Sequence, residues 1–241
     1  MNFGSGNFLT SGELTVIKDI AANLDKSKRI TFFDIGANVG DYATSIADIF
    51  NNQITIYAFE PSKLTFATLK DKTSNVDCIH LFNFGLSDKT EEMKLFYDKP
   101  NSLMASVYER DLANVNVVLD NTETVQFSTV DAFCKEHSIQ EIDFLKIDVE
   151  GHEINVLNGA KGMLNSNKVK FVQFEFGEAC IDSKTYLKDF YCILPNFNFY
   201  RIVSDGLHPL GEYKTEYEIF KTVNLLAINK GLNEQPIISS L

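Results

Sequence analysis

The sequence predicts an α/β domain built on a doubly wound, mostly parallel seven-stranded sheet with an antiparallel edge strand. Three observations carry this expectation. Apolar runs bounded by turn residues alternate with amphipathic stretches from about residue 13 to about residue 176. The first run ends in a glycine-rich turn that opens a helix, and after Pro195 the pattern changes to two strand-like segments flanking a turn. A chain of 241 residues, 44% hydrophobic and 23% charged, suits one packed domain and excludes a disordered tail protein.

Taken in order, Glu13 to Leu24 places Leu14, Ile17, Ile20, Ala21 and Leu24 at helical spacing, with Ser11 in position to cap a helix over about 11–25. Five runs then read as core strands: Ile30 to Ile35, Ile54 to Phe59, Cys78 to Phe84, Ile142 to Val149 and Val169 to Phe176. They are continuous in Ile, Val, Phe and Tyr, as strands buried on both faces must be. Tyr42 to Phe50, Leu64 to Lys72 and Glu153 to Leu164 carry apolar residues three and four apart, so each can lay one face on the sheet as a crossover helix. Residues 98–124 break the rhythm with polar clusters between strand-like Met93 to Tyr97 and Thr124 to Val130, which predicts a hairpin or substrate flap. Phe199 to Val203, a turn at Asp205-Gly206 and Thr222 to Asn229 predict the antiparallel edge. No repeat or linker divides the chain, so residues 1–241 read as a single domain.

Charge and cysteine usage narrow the partners. Lys and Arg number 22 against 33 Asp and Glu, a formal charge of -11 that repels phosphate backbones and anionic membranes, so nucleic acid is not expected as a partner. Cys78, Cys134, Cys180 and Cys192 form no C-x-x-C pair, which signals neither zinc nor a redox dithiol and suits a reducing cytoplasm. Met1 to Gly6 lacks the basic and apolar regions of a signal peptide, and no apolar run approaches the roughly 20 residues that span a bilayer. The expectation is a cytoplasmic protein without membrane insertion.

The chemistry gathers at strand ends. The first strand runs into Asp34-Ile35-Gly36-Ala37-Asn38-Val39-Gly40, a turn whose glycines let the backbone approach a ligand at a helix N-terminus. A dinucleotide fingerprint would want glycine at positions 36, 38 and 41, where the chain has Gly36, Asn38 and Asp41, so an NAD-dependent oxidoreductase is the weaker alternative. The phosphate loop of a nucleoside triphosphatase is missing too. Asp34 suits a cationic ligand, and S-adenosylmethionine carries an ammonium and a sulfonium but no phosphate. Glu60, ahead of Pro61 and Ser62 at the tip of the second strand, can accept both hydroxyl protons of a ribose. Asn83-Phe84-Gly85-Leu86 ends the third strand, where polar groups could read an adenine edge and apolar groups touch its face. Asp148, Glu150 and His152 follow the fourth strand, across the crevice from the cofactor. Glu175, between Phe174 and Phe176, needs a partner or the pocket mouth.

At these residues the sequence resembles the FkbM family of S-adenosylmethionine-dependent methyltransferases. The matching segments are Phe33 to Gly40, Phe59-Glu60-Pro61, Leu145 to Glu153 with its K-I-D-V-E-G core, and Val156-Leu157-Asn158-Gly159-Ala160, within a likeness covering roughly residues 13 to 229. The resemblance implies a Rossmann-like class I methyltransferase fold and O-methylation of a hydroxyl on a sugar, polysaccharide or related natural product. It implies that Asp34, Gly36, Ala37, Asn38 and Gly40 line the methionine end of the cofactor. Glu60 with Pro61 and Ser62 would hold the ribose, Asn83, Gly85 and Leu86 the adenine, and Asp148 would lie near the methyl group.

A sugar hydroxyl is a weak acid, so a base within hydrogen-bond reach would assist transfer, and Asp148, His152 and Glu175 are the candidates. A divalent metal held by Asp148 and Glu175 is compatible with this chemistry but not demanded by it. A further alternative is a module that binds S-adenosylmethionine without catalysis.

Overall fold

The computed structural model describes residues 8, 10–25 and 27–232; the expectation for Met1 to Gly6 lies outside them. Helix α1 (Glu13–Asn23) leads into β1 (Ile30–Ile35), α2 (Asp41–Ile49), β2 (Ile54–Phe59), α3 (Lys63–Lys72) and β3 (Ile79–Phe82). A short β4 (Gly85–Leu86) precedes the hairpin β5 (Glu91–Tyr97) and β6 (Asn121–Ser128), and α4 (Val130–Glu136) returns the chain to β7 (Ile142–Ile147). Then come α5 (Glu153–Asn158), α6 (Lys161–Asn165), β8 (Val169–Phe176), α7 (Ala179–Asp182), α8 (Leu187–Ile193), β9 (Phe197–Val203), β10 (Gly206–Pro209) and β11 (Val223–Asn229).

The main sheet has eight strands in the order β3-β2-β1-β7-β8-β11-β9-β10. The chain lays β1, β2 and β3 outward to one side, then crosses back to start β7 and β8 on the other. β1 and β7 are therefore the switch point, where the loops after two adjacent parallel strands diverge and leave a crevice. Two apolar layers cover the sheet. Phe33, Leu145 and Phe174 pack on one face against Val156 of α5 and Phe190 of α8, while Phe32, Phe144 and Phe171 pack on the other against Ile17 of α1 and Ile46 of α2.

Four expectations change in detail. The strand count is eight rather than seven, because the turn at Asp205-Gly206 folds β10 back on β9 as the antiparallel edge. β11 is interior, antiparallel to both β8 and β9; its Leu225-Leu226-Ala227-Ile228 stretch is apolar on both faces and needs a neighbour on each side. The helix expected over Glu153 to Leu164 is two helices. A Cβ on Gly159 would meet the Ser87 carbonyl oxygen at 1.9 Å, and Asp131 of α4 starts α6 by accepting from Gly162 N at 2.6 Å and Met163 N at 3.0 Å. At α1 the capping position is Gly12 rather than Ser11, whose hydroxyl instead accepts from Glu13 N at 3.3 Å and donates to the Glu13 carboxylate at 2.7 Å.

The expected hairpin is present. β5 and β6 pair antiparallel, β4 joins them as a separate three-stranded sheet, and residues 98–120 form the flap between. Among the described residues no helix is long and apolar enough to cross a membrane.

Candidate active site

The turn after β1 is built from left-handed backbone. Gly36 has φ +80°, Asn38 +48° and Gly40 +87°, and asparagine is one of the few side chains that adopts this region readily. The N–H groups of Gly36 and Ala37 both donate to Phe59 O at 3.0 Å, folding the turn over the end of β2. Asp148 N donates to Ile35 O at 3.0 Å, and a Cβ on Gly36 would lie 1.9 Å from Asp148 O. Main-chain bonds thus tie the ends of β1, β2 and β7 together.

Glu60 follows β2 and is 6% exposed. Its Oε2 accepts from Asn38 N at 3.1 Å and its Oε1 from Ser62 N at 2.9 Å; burial pushes the carboxyl up to about 7. Each carboxylate oxygen keeps an acceptor site free. Asn83 Nδ2 donates to the carbonyls of Glu60 at 2.9 Å and Pro61 at 3.1 Å, so this side chain fastens the turn. Ser62 caps α3 through Thr65 N, and Gly40 caps α2.

A cleft with about 750 Å³ of non-protein space opens over these strand ends. Of the expected cofactor residues, Gly36, Asn38, Glu60, Pro61, Gly85, Leu86 and Asp148 line it. Ala37, Gly40, Ser62 and Asn83 are not among the lining residues and shape it from behind.

Asp34 is a correction. The expectation turned its carboxylate to the ligand, but it is fully buried and outside the cleft lining. It pairs in register with Lys146 of β7, whose Nζ lies 2.9 Å from Asp34 Oδ1. Lys146 also donates to Gly36 O at 3.2 Å, approaches Asp148 Oδ2 at 3.6 Å and sits 5.2 Å from the centre of the Tyr42 ring of α2. Burial raises the Asp34 pKa against the pull of Lys146. At Lys146 burial opposes the charge, but Asp34 and Asp148 outweigh it and hold the pKa above its ordinary value.

Opposite the glycine turn, Asp148, Glu150 and Glu175 bring carboxylate oxygens within 4.8 Å of one another. Asp148 lines the cleft with 47% of its side chain exposed. Glu150, at φ +53°, also lines it and is ion-paired with Arg110 of the flap, which reaches Asp182 Oδ2 at 3.3 Å as well. Burial, then repulsion from Asp148, raises Glu150 to about 7. Burial, then Asp148 and Glu150, drives Glu175 well above the usual carboxylate range; Glu175 stands beside the cleft rather than in its lining. Two cations stand beside this trio, Lys146 at Asp148 and Arg110 at Glu150, and the carboxylates outnumber them.

His152 lines the cleft but is 2% exposed and engaged at both ring nitrogens. Ser87 Oγ donates to Asp88 Oδ1 at 3.0 Å and so accepts from Nε2–H at 2.8 Å, which leaves Nδ1 to accept from Tyr108 OH at 3.1 Å. Burial lowers its pKa to about 4. The expectation of His152 as a base is corrected to a neutral clamp between β4 and the flap.

The flap is fastened at further points: Asn38 Nδ2 donates to Ser102 O at 2.8 Å and Ser106 Oγ to Glu150 O at 2.7 Å. Sequence reading missed Lys146 and Arg110. A lysine inside the apolar run of a strand buried on both faces was a signal for the first; Arg110, between Glu109 and Asp111 in a polar segment, offered none.

A glycine turn at the switch point, an acid after β2 and a carboxylate lip after β7 define the class, a Rossmann-like α/β methyltransferase. Residues 34–199 match the family described as Methyltransferase FkbM domain, well over half of the sequence, and the chain belongs to that family. It is 25% identical over 178 residues to the hexuronic acid methyltransferase AglP of Haloferax volcanii, covering 73% of this chain and 67% of that one. Over 208 residues it is 24% identical to the 2-O-methyltransferase NoeI of Sinorhizobium fredii, covering 81% and 83% respectively. The crystal structure of an FkbM methyltransferase from Methylobacillus flagellatus KT superposes with a TM-score of 0.49 at 13% identity, over 83% of this chain and 43% of that one. This chain therefore spans under half the length of that solved relative.

Proposed function

We propose that the protein transfers a methyl group from S-adenosylmethionine to a hydroxyl of a carbohydrate or related natural product. The observation that carries this reading is the charge of the cleft. Its ionisable carboxylates are Glu60, Asp148 and Glu150, and no lysine or arginine is among the lining residues. Such a donor set suits a cofactor bearing an ammonium and a sulfonium, and it disfavours the pyrophosphate of a dinucleotide.

In this reading Glu60 accepts the two ribose hydroxyls, while the turn from Gly36 to Gly40 supports the methionine end and Gly85 and Leu86 receive the adenine. Bound S-adenosylmethionine supplies an electrophilic methyl group on sulfur. Asp148 is the base: exposed at the cleft and aimed from below by Lys146, it accepts the proton of the acceptor hydroxyl as that oxygen attacks. Ser102, Leu103, Ala105 and Val107 of the flap line the cleft, and positioning supplies much of the acceleration. No divalent cation is required by this scheme. Similarity to a hexuronic acid methyltransferase supports a carbohydrate acceptor, and similarity to a 2-O-methyltransferase supports an oxygen as the methylated atom. We place the reaction in the cytoplasm, an environment in which four free thiols persist, with neither nucleic acid nor membrane as partner.

The test is calorimetry with S-adenosylhomocysteine and NAD⁺ in parallel, followed by transfer of labelled methyl to a panel of methyl glycosides. Binding of S-adenosylhomocysteine alone and label in a glycoside are expected; NAD⁺ binding alone would overturn the reading. Asp148→Asn is expected to lower kcat by about 10²–10⁴-fold while S-adenosylhomocysteine affinity stays within about threefold. Equal loss of both would make Asp148 a cofactor ligand instead.

A further inference from the structure

We propose that Lys146 is the positioning residue of the site: anchored by Asp34, its ammonium aims the Asp148 carboxylate into the cleft to receive a proton. This rests on the reading of Asp148 as the base. The starting point is that Lys146 has no local reason to be where it is. All six residues of β7 are buried, and the Lys146 side chain is 6% exposed. A buried ammonium must be paired closely to be tolerated.

Its anchor is complete on three sides. Asp34 faces it from β1 at 2.9 Å, and the Asp34 carboxylate makes no hydrogen bond with any other group, so it serves Lys146 alone. Gly36 O accepts an N–H at 3.2 Å from the cofactor turn, and the Tyr42 ring lies beneath. Tyr42 is itself pinned, because its hydroxyl donates to Gln173 Oε1 at 3.1 Å and the Gln173 amide donates to Glu13 of α1. Gln173 is the register partner of Lys146 on β8, so a polar row of Asp34, Lys146 and Gln173 crosses three adjacent strands. The ammonium cannot swing away, and its remaining direction is toward Asp148 Oδ2 at 3.6 Å.

The surroundings of Asp148 make that cation necessary. Glu150 and Glu175 lie beside it. Glu153 of α5, Glu13 of α1 and Asp34 of β1 add further negative charge nearby. The other cation at this lip, Arg110 of the flap, is committed to Glu150 and Asp182. Without Lys146 nothing positive would stand against Asp148, and its carboxylate would turn away from the acids beside it. The lysine of K-I-D-V-E-G thereby sets the direction of the aspartate two residues on.

Lys146→Met alone would strand the buried Asp34 charge and endanger folding, so the informative variant is Asp34→Asn/Lys146→Met, which removes both members of the pair. Lys146→Arg, which keeps the charge, is the companion. The readout is the orientation of the Asp148 side chain in crystal structures of the wild type and both variants, together with kcat and KM of methyl transfer.

In the double variant the Asp148 carboxylate is expected to leave its cleft-facing rotamer and kcat to fall about 10-fold or more, while Lys146→Arg keeps both near wild type and S-adenosylhomocysteine affinity holds. An unmoved Asp148 carboxylate in the double variant would overturn the proposal and leave Lys146 as a strand-pairing residue. A moved carboxylate in a protein that methylates no glycoside would uphold the positioning and overturn only the proposed reaction.

Discussion

The two lips of the cleft are held by different physics. On the glycine lip, the turn from Gly36 to Gly40 is fixed by main-chain bonds to Phe59, by the buried Glu60 and Lys146 side chains on its backbone, and by backbone that few residues can adopt. On the flap lip, residues 98–120 are fixed largely by side chains reaching across the fold: Asn38 to Ser102, Ser106 to Glu150, Tyr108 to His152 and Arg110 to Glu150 and Asp182. The first lip tolerates almost no change of residue type. The second can be retuned by exchanging single side chains, which suits a surface that has to match an acceptor.

The sharpest way to break this contrast is Gly36→Ala. The added Cβ has no room against Asp148 O and the backbone is left-handed, so destabilisation on the order of 3 kcal/mol is expected in denaturant unfolding, with S-adenosylhomocysteine binding lost. A stable variant that binds normally would show that the turn is not rigid. Next is Glu60→Ala, which should weaken S-adenosylmethionine binding by roughly 1.5–3 kcal/mol; calorimetry showing unchanged affinity would remove Glu60 from the ribose role.

On the other lip, Arg110→Ala should raise the KM for the acceptor by about 10-fold, near 1.4 kcal/mol, and leave cofactor affinity unchanged. Equal loss of both affinities would mean that the flap braces the cofactor turn as well.

The smallest effect is a pH dependence that both lips share. Glu60, Glu150 and Glu153 are each raised from 4.5 to about 7, so between these values the folded state holds protons that the unfolded state has released. Their contribution to stability is full at low pH and is lost as pH rises through about 7. His152 works the other way, but only between about 4 and 6.5, where the unfolded chain takes up its proton first. From pH 6.5 to about 8 the carboxylates act alone, and the Tm of the ligand-free protein should fall by a few degrees. A rising Tm over that interval would contradict the burial of these acids.

Much of the frame follows from local pattern. β1, β2 and β8 have the bounds that their apolar runs imply, because a parallel strand covered on both faces leaves an uninterrupted hydrophobic signature. The glycine turn was readable for a related reason, since only a few residue types accept its backbone. The seven-residue helices α4 and α8 left no comparable trace; two turns are too short for a face to establish its period.

Site residues divide along the same line. Glu60 and Asp148 stand at strand ends, where position alone brings them to the crevice, and both line it. Asp34 and His152 are close to the same motifs, yet Asp34 turns to the covered face and His152 is consumed by Ser87 and Tyr108. Residue type and periodicity were enough to specify the parallel sheet, the switch point and the turn, because those depend on neighbours in the chain. Which acid meets Lys146, where β11 inserts and how Arg110 closes the flap depend on groups 72 to more than 100 residues apart, and no local pattern records a distance that only folding creates.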